Sequence, residues 1–190
     1  IGDSTVDADA EILAMAADCL HRAGLREFQL SVGHADFFRG LSEAAGLKEE
    51  QEEELRELIS NKNYFGVSEF AETLNLKEDL NNLFQMLGNL YVGSDELQKA
   101  KEYAAAYPRI KNAISRLEEL HQVLELYEIE KYVSFELGIV SNYQYYTGII
   151  FAGYTFGSGE PVIKGGRYDE LLTYFGKNSA SIGFAVVIDQ

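Results

Sequence analysis

The fold of this chain is decided by residues 143–172, which read YQYYTGIIFAGYTFGSGEPVIKGGRYDELL. The stretches 145–156 and 162–164 are rich in β-branched and aromatic side chains, which are typical of strands. Between them, the segment Gly157-Ser158-Gly159 predicts a hairpin turn, because glycine adopts the positive backbone angles that such turns need. The quoted stretch therefore predicts a pair of antiparallel strands.

The rest of the sheet is expected on both sides of this pair, together with the helices that cover it. Helices are predicted where apolar residues recur at helical spacing, and strands where they alternate with polar residues. A glycine after a helical pattern, as at Gly24, Gly46 and Gly176, favours the end of that helix. The expected elements are helix 8–23, strand 28–32, helix 35–45, strand 133–137, helix 168–175 and strand 181–188.

The segment 48–130 differs from both flanks because it shows helical spacing with few strand signals. Helices are expected at 49–60, 68–74, 80–90, 95–106 and 108–127, with Ser94 as an N-cap and Pro108 in a first turn. The segment is acidic, with nine Lys or Arg against eighteen Asp or Glu. We interpret it as an all-helical insertion between two parts of one sheet domain, 1–47 and 131–190. The predicted fold class is α+β, an antiparallel sheet flanked by helices.

The composition argues against several classes of protein. The 31 acidic and 16 basic residues give a formal charge of −15, which disfavours a nucleic-acid backbone as the main partner. The sequence has no apolar run long enough for a membrane span and no signal-peptide pattern. The one cysteine, Cys19, lies in an apolar helical pattern, so we expect a buried thiol and a cytoplasmic location. Because the chain starts at Ile1 and stops inside an apolar run, we expect a fragment of a longer protein.

Two features of the quoted stretch are candidates for binding. Gly165 and Gly166 precede a predicted helix, where a glycine pair forms either a tight turn or a close approach to an anion. Tyr145, Tyr146 and Tyr168 offer aromatic faces with hydroxyl groups, which suit a pocket for a small polar ligand. Tyrosines in strands are also common packing residues, so both interpretations stay open.

The sequence carries no recognisable catalytic or metal-binding pattern. The three histidines lack ligand spacing, and no nucleotide-binding or nucleophile motif is present. His34 follows a predicted strand and precedes a helix, so it is either a binding residue or a capping residue. The residues alone therefore predict an α+β domain with a candidate small-molecule pocket and with no catalytic residue, cofactor or metal.

Three motifs, in this order, resemble signatures of the histidyl-tRNA synthetase family, which belongs to the class II aminoacyl-tRNA synthetases. They are Tyr145-Tyr146-Thr147-Gly148-Ile149-Ile150-Phe151, Gly165-Gly166-Arg167-Tyr168-Asp169-Glu170-Leu171 and Ile182-Gly183-Phe184-Ala185. The resemblance extends to residues 1–2, 8–12 and 28–34, and it implies the class II fold. It also implies that Tyr145 and Tyr146 contact histidine, with Tyr168 and the backbone of Gly165 and Gly166 lining the same pocket.

The family resembled here has a catalytic branch, the synthetase, and a non-catalytic branch, the regulatory subunit of ATP phosphoribosyltransferase. In the synthetase an arginine that meets the adenylate precedes the tyrosine pair, and Ser141 stands at that position. Ala152 replaces a glutamate, and Gln190 stands where class II synthetases have an arginine. A serine cannot offer a cationic fork to phosphate, so these replacements argue against adenylate chemistry. The segment 33–41 also resembles the regulatory branch.

The resemblance therefore implies a regulatory subunit that senses histidine as feedback inhibitor of the first step of histidine biosynthesis. The implied partner is the short-form ATP phosphoribosyltransferase catalytic subunit, in a hetero-octamer, and no tRNA is expected. Two alternatives stay open. One is a divergent histidyl-tRNA synthetase that activates histidine with ATP and charges tRNA, and the other is a class II-like interaction module without a ligand.

Overall fold

The computed structural model describes residues 1–89, 92–141 and 145–188. The helices are α1 (Val6–Arg22), α2 (Ala35–Ala45), α3 (Glu49–Ser60), α4 (Tyr64–Thr73), α5 (Glu78–Gln85), α6 (Ser94–Tyr103) and α7 (Pro108–Leu126). The strands are β1 (Phe28–His34), β2 (Val133–Phe135), β3 (Ile149–Thr155), β4 (Ile163–Arg167) and β5 (Ile182–Val186). Short 3₁₀ helices cover Met86–Gly88, Ala104–Ala106, Glu130–Tyr132 and Leu171–Phe175. Predictions that concern residues 90–91, 142–144, 189 and 190 lie outside the described residues.

The strands form one mixed sheet in the order β2-β1-β3-β4-β5. The pairs β1–β3, β3–β4 and β4–β5 are antiparallel, which confirms the predicted antiparallel sheet. The pair β1–β2 is the exception, because β2 runs parallel to β1. The chain reaches β2 only after α2 to α7, and such a long helical crossover is what allows a parallel neighbour.

One face of the sheet carries the hydrophobic core. Leu30, Val32, Phe151 and Ile163 share this face by register, and all four are buried. Helix α7 packs against α1 and α2, so apolar residues of segment 48–130 join those of the sheet in one cluster. The division of the chain at residues 48 and 130 stays a prediction.

Side-chain and backbone caps fix the ends of the helices. Thr5 caps α1 and His34 caps α2, each through a side-chain acceptor. The prediction that Ser94 caps α6 is wrong, because the helix begins at Ser94 itself and Gly93 precedes it. The N–H of Gly93 donates to Oε2 of Glu96 (3.1 Å), so the reciprocal contact of a capping box holds this end.

The motif that follows the hairpin differs from its prediction. Gly165 and Gly166 lie inside β4, so they form neither a turn nor the start of a helix. The helix predicted at 168–175 is a 3₁₀ helix that begins only at Leu171. The N–H of Tyr168 instead donates to the carbonyl of Ser181, just before β5 (2.7 Å). The extended backbone of β4 therefore continues beyond Arg167.

Two further predictions are wrong about exposure and strand length. Cys19 is exposed, because the buried face of α1 runs through Leu13, Ala16 and Leu20. The strand predicted from residue 145 begins at Ile149, because the residues before it form a loop that is fastened to the end of β4.

Candidate ligand-binding site

A row of glycines crosses the face of the sheet that points away from the core. In the strand register, Gly33 of β1 lies opposite Ile150 of β3. Ile150 lies opposite Gly166 of β4, and Gly166 lies opposite Gly183 of β5. Residues that face each other across antiparallel strands share one side of the sheet, so these four residues line one trough. We call Gly33, Gly166 and Gly183 the glycine row.

Larger side chains occupy the space that the glycine row leaves. A Cβ atom on Gly33 would lie 2.0 Å from the side chain of Ile139. A Cβ on Gly166 would lie 2.7 Å from the ring of Tyr146, and one on Gly183 would lie 2.9 Å from the hydroxyl of Tyr168. Glycine is therefore required here so that two of the predicted tyrosines can lie directly on the sheet.

The three predicted tyrosines come together on this floor. The ring centroids of Tyr145 and Tyr146 are 4.6 Å apart, and those of Tyr145 and Tyr168 are 6.1 Å apart in an edge-to-face arrangement. Tyr146 is buried against Ala35 and Ile150, whereas Tyr145 is 38% exposed and Tyr168 is half-buried. The cluster is an aromatic wall with one end open to solvent, and its role in binding histidine stays a prediction.

The predicted glycine pair separates onto the two faces. Gly166 lies beneath Tyr146, but a Cβ on Gly165 would lie 2.5 Å from the ring of Phe151 and 2.6 Å from Phe184. Gly165 thus faces the core, where it makes room for apolar rings. The close backbone approach that the sequence indicated is made by aromatic side chains of the chain itself.

Hydrogen bonds from residues inside the first two motifs and from Ala35 hold residues 145–148, the tyrosine loop, in place. The N–H of Thr147 donates to the carbonyl of Arg167 (2.7 Å), and the N–H of Ala35 donates to the carbonyl of Gly148 (2.9 Å). The N–H of Asp169 donates to Oγ1 of Thr147 (2.9 Å). Sequence reasoning assigned no role to Thr147 or Asp169, although both stand directly beside the candidate tyrosines, which is the signal that could have found them.

A buried ionic cluster lies on the other side of the same strand. Asp9 is fully buried; its Oδ1 lies 2.7 Å from Nη2 of Arg167, and its Oδ2 lies 2.6 Å from Nη2 of Arg116. Arg167 also donates to the carbonyl of Asp3 (2.9 Å) and to Oδ1 of Asp169 (3.0 Å). Burial raises the pKa of the Asp9 carboxyl, and the two guanidinium groups oppose that shift. The cluster joins α1, α7 and β4, and sequence reasoning missed it because Asp9 looks like an ordinary first-turn acid.

His34 acts as a cap rather than as a ligand group. Its Nδ1 accepts from the N–H of Asp36 (3.1 Å), which confirms the capping interpretation. Burial lowers the pKa of His34 to about 4, with Arg116 among the cations that contribute and Asp36 opposing. The imidazole is therefore neutral near pH 7, as an acceptor at Nδ1 requires.

A cleft of about 190 Å³ adjoins the tyrosine cluster, between α2, α3 and residues 139–141. Its lining includes Tyr146, Arg39 and Arg56. Nη1 of Arg56 donates to the carbonyl of Ser141 (3.0 Å), and the guanidinium lies 4.4 Å from the ring centroid of Phe38. We call this space the arginine cleft.

A second polar cluster lies where the turn between α3 and α4 meets the sheet. Burial raises the pKa of Glu136, while Lys62 and a hydrogen bond from Ser31 oppose the shift. Burial, together with the nearby carboxyl of Glu136, raises the pKa of Tyr64 to about 12. Lys62 also lies 5.8 Å above the ring of Tyr154. These contacts join the helical segment to the sheet at the end remote from β5.

The chemistry available around the tyrosine cluster is that of binding. Aromatic faces and hydroxyl groups can hold a small ring with polar atoms. Within residues 1–89, 92–141 and 145–188, no group of three or more His, Cys, Asp or Glu side chains is placed to hold a metal ion. None of the helices in that part of the chain is both long and apolar enough to cross a membrane.

Comparisons with known proteins agree on one family. A family model described as histidyl-tRNA synthetase matches residues 1–190. The ATP phosphoribosyltransferase regulatory subunit of Acetivibrio thermocellus is 40% identical over the whole chain, which covers 45% of that protein. A similar protein from Clostridium kluyveri, with the same name, is 38% identical and is covered to 49%. The chain therefore spans about half the length of the curated relatives it matches.

The fold agrees with solved structures of the same group. A protein from Bacillus halodurans, described as an ATP phosphoribosyltransferase regulatory subunit/histidyl-tRNA synthetase, superposes with a TM-score of 0.88 at 36% identity. That match covers all of this chain and 50% of the other. The class II fold inferred from the three motifs is thus confirmed, and the chain belongs to the histidyl-tRNA synthetase family.

Proposed function

We propose that this chain is part of a non-catalytic regulatory subunit of ATP phosphoribosyltransferase and that its tyrosine cluster binds histidine. The observation that carries the proposal is the cluster of Tyr145, Tyr146 and Tyr168, in which Tyr146 and Tyr168 lie on the glycine row and Tyr146 lines a cleft together with Ser141. The names of relatives at 40% and 38% identity support the same branch of the family.

The character of the cluster suits an imidazole ring. Tyr146 offers a buried aromatic face, and the hydroxyl groups of tyrosine can donate to or accept from a ring nitrogen. Tyr145 is partly exposed, which gives a ligand a route from solvent. A preformed aromatic surface beside a cleft suits the binding of a small metabolite.

Two residues that the synthetase resemblance implies for adenylate formation are replaced by uncharged ones. Adenylation requires cations aimed at the developing phosphate charge. Ser141 stands where the synthetase resemblance implies an arginine, and the side chain of Ala152 on β3 brings no charge to the sheet. Retained tyrosines beside a lost arginine favour binding of the amino acid without its activation.

Regulation would act through a partner. We infer that the partner is the short-form catalytic subunit, assembled with this protein in a cytoplasmic hetero-octamer. Histidine would act as feedback inhibitor by binding one state of the assembly more tightly than another, which is the condition for any ligand-driven shift. No tRNA is part of this proposal, and the formal charge of −15 supports its absence.

Reconstitution with the catalytic subunit tests the proposal. The full-length protein should co-purify with that subunit, raise its phosphoribosyltransferase rate and make that rate sensitive to histidine. Failure to co-purify, or an unchanged rate, would contradict the regulatory role.

The second candidate is a divergent histidyl-tRNA synthetase. It is favoured by the family model and by the double description of the Bacillus halodurans structure. Histidine-dependent pyrophosphate exchange separates the two candidates, because only an adenylating enzyme catalyses it. The regulatory proposal expects exchange at the background rate, and exchange clearly above background would establish the synthetase in its place.

A further inference from the structure

We propose that Arg56 of α3 forms an anion subsite in the arginine cleft, which receives the carboxylate of an amino acid whose ring lies at the tyrosine cluster. This inference rests on the proposed function and deepens it, since it names the group that reads the ligand's carboxylate. It also makes the helical segment 48–130 part of the binding site.

The position of Arg56 is the first argument. Its Nη1 lies 3.0 Å from the carbonyl oxygen of Ser141, the residue that replaces the family's arginine. The guanidinium therefore occupies space next to the point where the family resemblance places a cation. Ser141 has no cationic side chain, but the guanidinium of Arg56, from α3, contacts its backbone carbonyl.

The surroundings of the guanidinium are the second argument. Its face lies on the ring of Phe38 and its Nη2 lies 3.0 Å from Oε1 of Glu52, so the group is held in one orientation. The side chain is only 24% exposed, and partial burial strengthens its interaction with an anion. A guanidinium carries five N–H donors, and the two hydrogen bonds to Ser141 and Glu52 use two of them.

The lining of the cleft is the third argument. Arg39 and Arg56 line the cleft, and each has a carboxylate partner, Asp36 for Arg39 (3.7 Å) and Glu52 for Arg56 (3.0 Å). An anion in the cleft would therefore bind through the donors of Arg56 that these contacts leave unused. Tyr146 belongs both to the lining of the cleft and to the tyrosine cluster, so the two surfaces adjoin at this residue. A ligand with an aromatic ring at one end and a carboxylate at the other matches this pair of surfaces.

The consequence is a link between the ligand and the helical segment. A carboxylate that contacts Arg56 would tie α3 to the tyrosine loop through one bound molecule. Occupancy would then stabilise one position of α3 relative to the sheet, which is a differential contact of the kind that regulation needs.

Calorimetry with histidine and histamine, which lacks the carboxylate, tests the subsite in the full-length protein. The wild type should bind histidine at least about tenfold more tightly than histamine, a difference of about 1.4 kcal/mol. Arg56→Met keeps the aliphatic stem and should weaken histidine about tenfold while leaving histamine unchanged. Arg56→Lys keeps the charge without the planar fork and should give an intermediate loss.

Arg22→Met serves as the matched control, because Arg22 forms an i,i+4 ion pair with Asp18 on α1, as Arg56 does with Glu52 on α3, and does not line the cleft. It should leave both affinities unchanged. Hydrogen exchange adds an independent measurement: histidine should slow amide exchange in α3 of the wild type, and histamine should not.

Several results would overturn the subsite. An Arg56→Met protein that binds histidine as well as the wild type, or that loses both ligands equally, contradicts it alone and leaves the proposed function standing. Should Arg56→Met fail to fold, as judged by circular dichroism, Arg56→Lys and the wild-type preference for histidine over histamine decide the question. A wild type that binds no histidine overturns both the proposed function and this inference.

Discussion

Arg167 and Tyr168 are consecutive residues of one motif, yet their side chains lie in opposite surroundings. Arg167 is 4% exposed and is bonded to Asp9 and Asp169 on the core side of the sheet. Tyr168 lies above Gly183 on the other side, half-buried among aromatic rings. Successive side chains of a strand point to opposite faces, so one motif supplies a structural anchor and a candidate ligand contact at once.

This difference teaches that charge alone does not identify the functional residue of a motif. The arginine looks like the more reactive group, but its donors are directed at carboxylate and carbonyl groups of the protein itself. The tyrosine looks like a packing residue, but it is half-buried at the edge of the tyrosine cluster that we propose as the ligand site. Substitutions can disturb the ion pairs of Arg167 and the tyrosine cluster separately. Their effects distinguish a role in stability from a role in ligand binding.

Removing the carboxylate of Asp9 should have the largest effect. Asp9→Asn leaves Arg167 and Arg116 without their buried counter-ion, so we expect the free energy of unfolding to fall by about 3–5 kcal/mol. Urea denaturation measures this change. Asp18→Asn, which removes an exposed pair with Arg22, is the control and should cost less than about 1 kcal/mol. Equal losses for the two variants would contradict the anchoring role.

Acidification should lower the free energy of unfolding of the protein through protonation of His34. The folded pKa of about 4 lies below the ordinary value of 6.5, so the unfolded chain binds more protons between these values. Stability should therefore fall as the pH drops through this window, by roughly 3 kcal/mol from this residue. His34→Asn retains a good N-cap and removes the titration.

Thermal unfolding of the wild type and of His34→Asn, each at pH 7 and at pH 4, isolates the contribution of His34. Carboxyl groups that do not interact with His34 titrate alike in both proteins, so their contributions cancel. The wild type should lose more stability than His34→Asn on acidification, and parallel losses would mean that the imidazole is not buried in its neutral form.

A side chain added at Gly166 of the glycine row should disturb the tyrosine cluster more than the ion pair of Asp9 and Arg167. A Cβ on Gly166 would lie 2.7 Å from the Tyr146 ring and 2.7 Å from the carbonyl oxygen of Ile149. Gly166→Ala should therefore cost about 1–3 kcal/mol of stability and displace Tyr146 from the sheet. Gly159→Ala meets no atom within 4 Å and is the matched control.

Near-ultraviolet circular dichroism, which reports tyrosine packing, checks the displacement at a temperature where both glycine variants are folded. We expect a changed spectrum for Gly166→Ala and an unchanged one for Gly159→Ala. A wild-type spectrum in both would mean that Tyr146 does not depend on this glycine.

Much of the fold could be predicted because local signals and tertiary structure agree. Helices α2 and α3 begin and end where apolar spacing and the following glycine or polar residues indicate. The order of the three motifs also identified the class II fold, which is confirmed by the comparison with solved structures.

The predictions failed where a distant segment decides the local conformation. Gly165 and Gly166 look like a turn in sequence, but pairing with β3 and β5 holds them in a strand. Asp9 is separated by 158 residues from Arg167, so no local pattern reveals the ion pair. Arg56 gave no signal at all, because its contact with Ser141 depends on how α3 packs beside the sheet.

The central claim is that the tyrosine cluster of this family member binds histidine, and calorimetric titration of the full-length protein with L-histidine tests it most directly. The wild type should bind, and the combined variant Tyr146→Phe with Tyr168→Ala should bind at least about tenfold more weakly, equivalent to about 1.4 kcal/mol. Tyr174→Ala, at an exposed tyrosine of the neighbouring 3₁₀ helix, should bind as the wild type does. Absence of histidine binding by the wild type, or equal affinity in the combined variant, would contradict the claim.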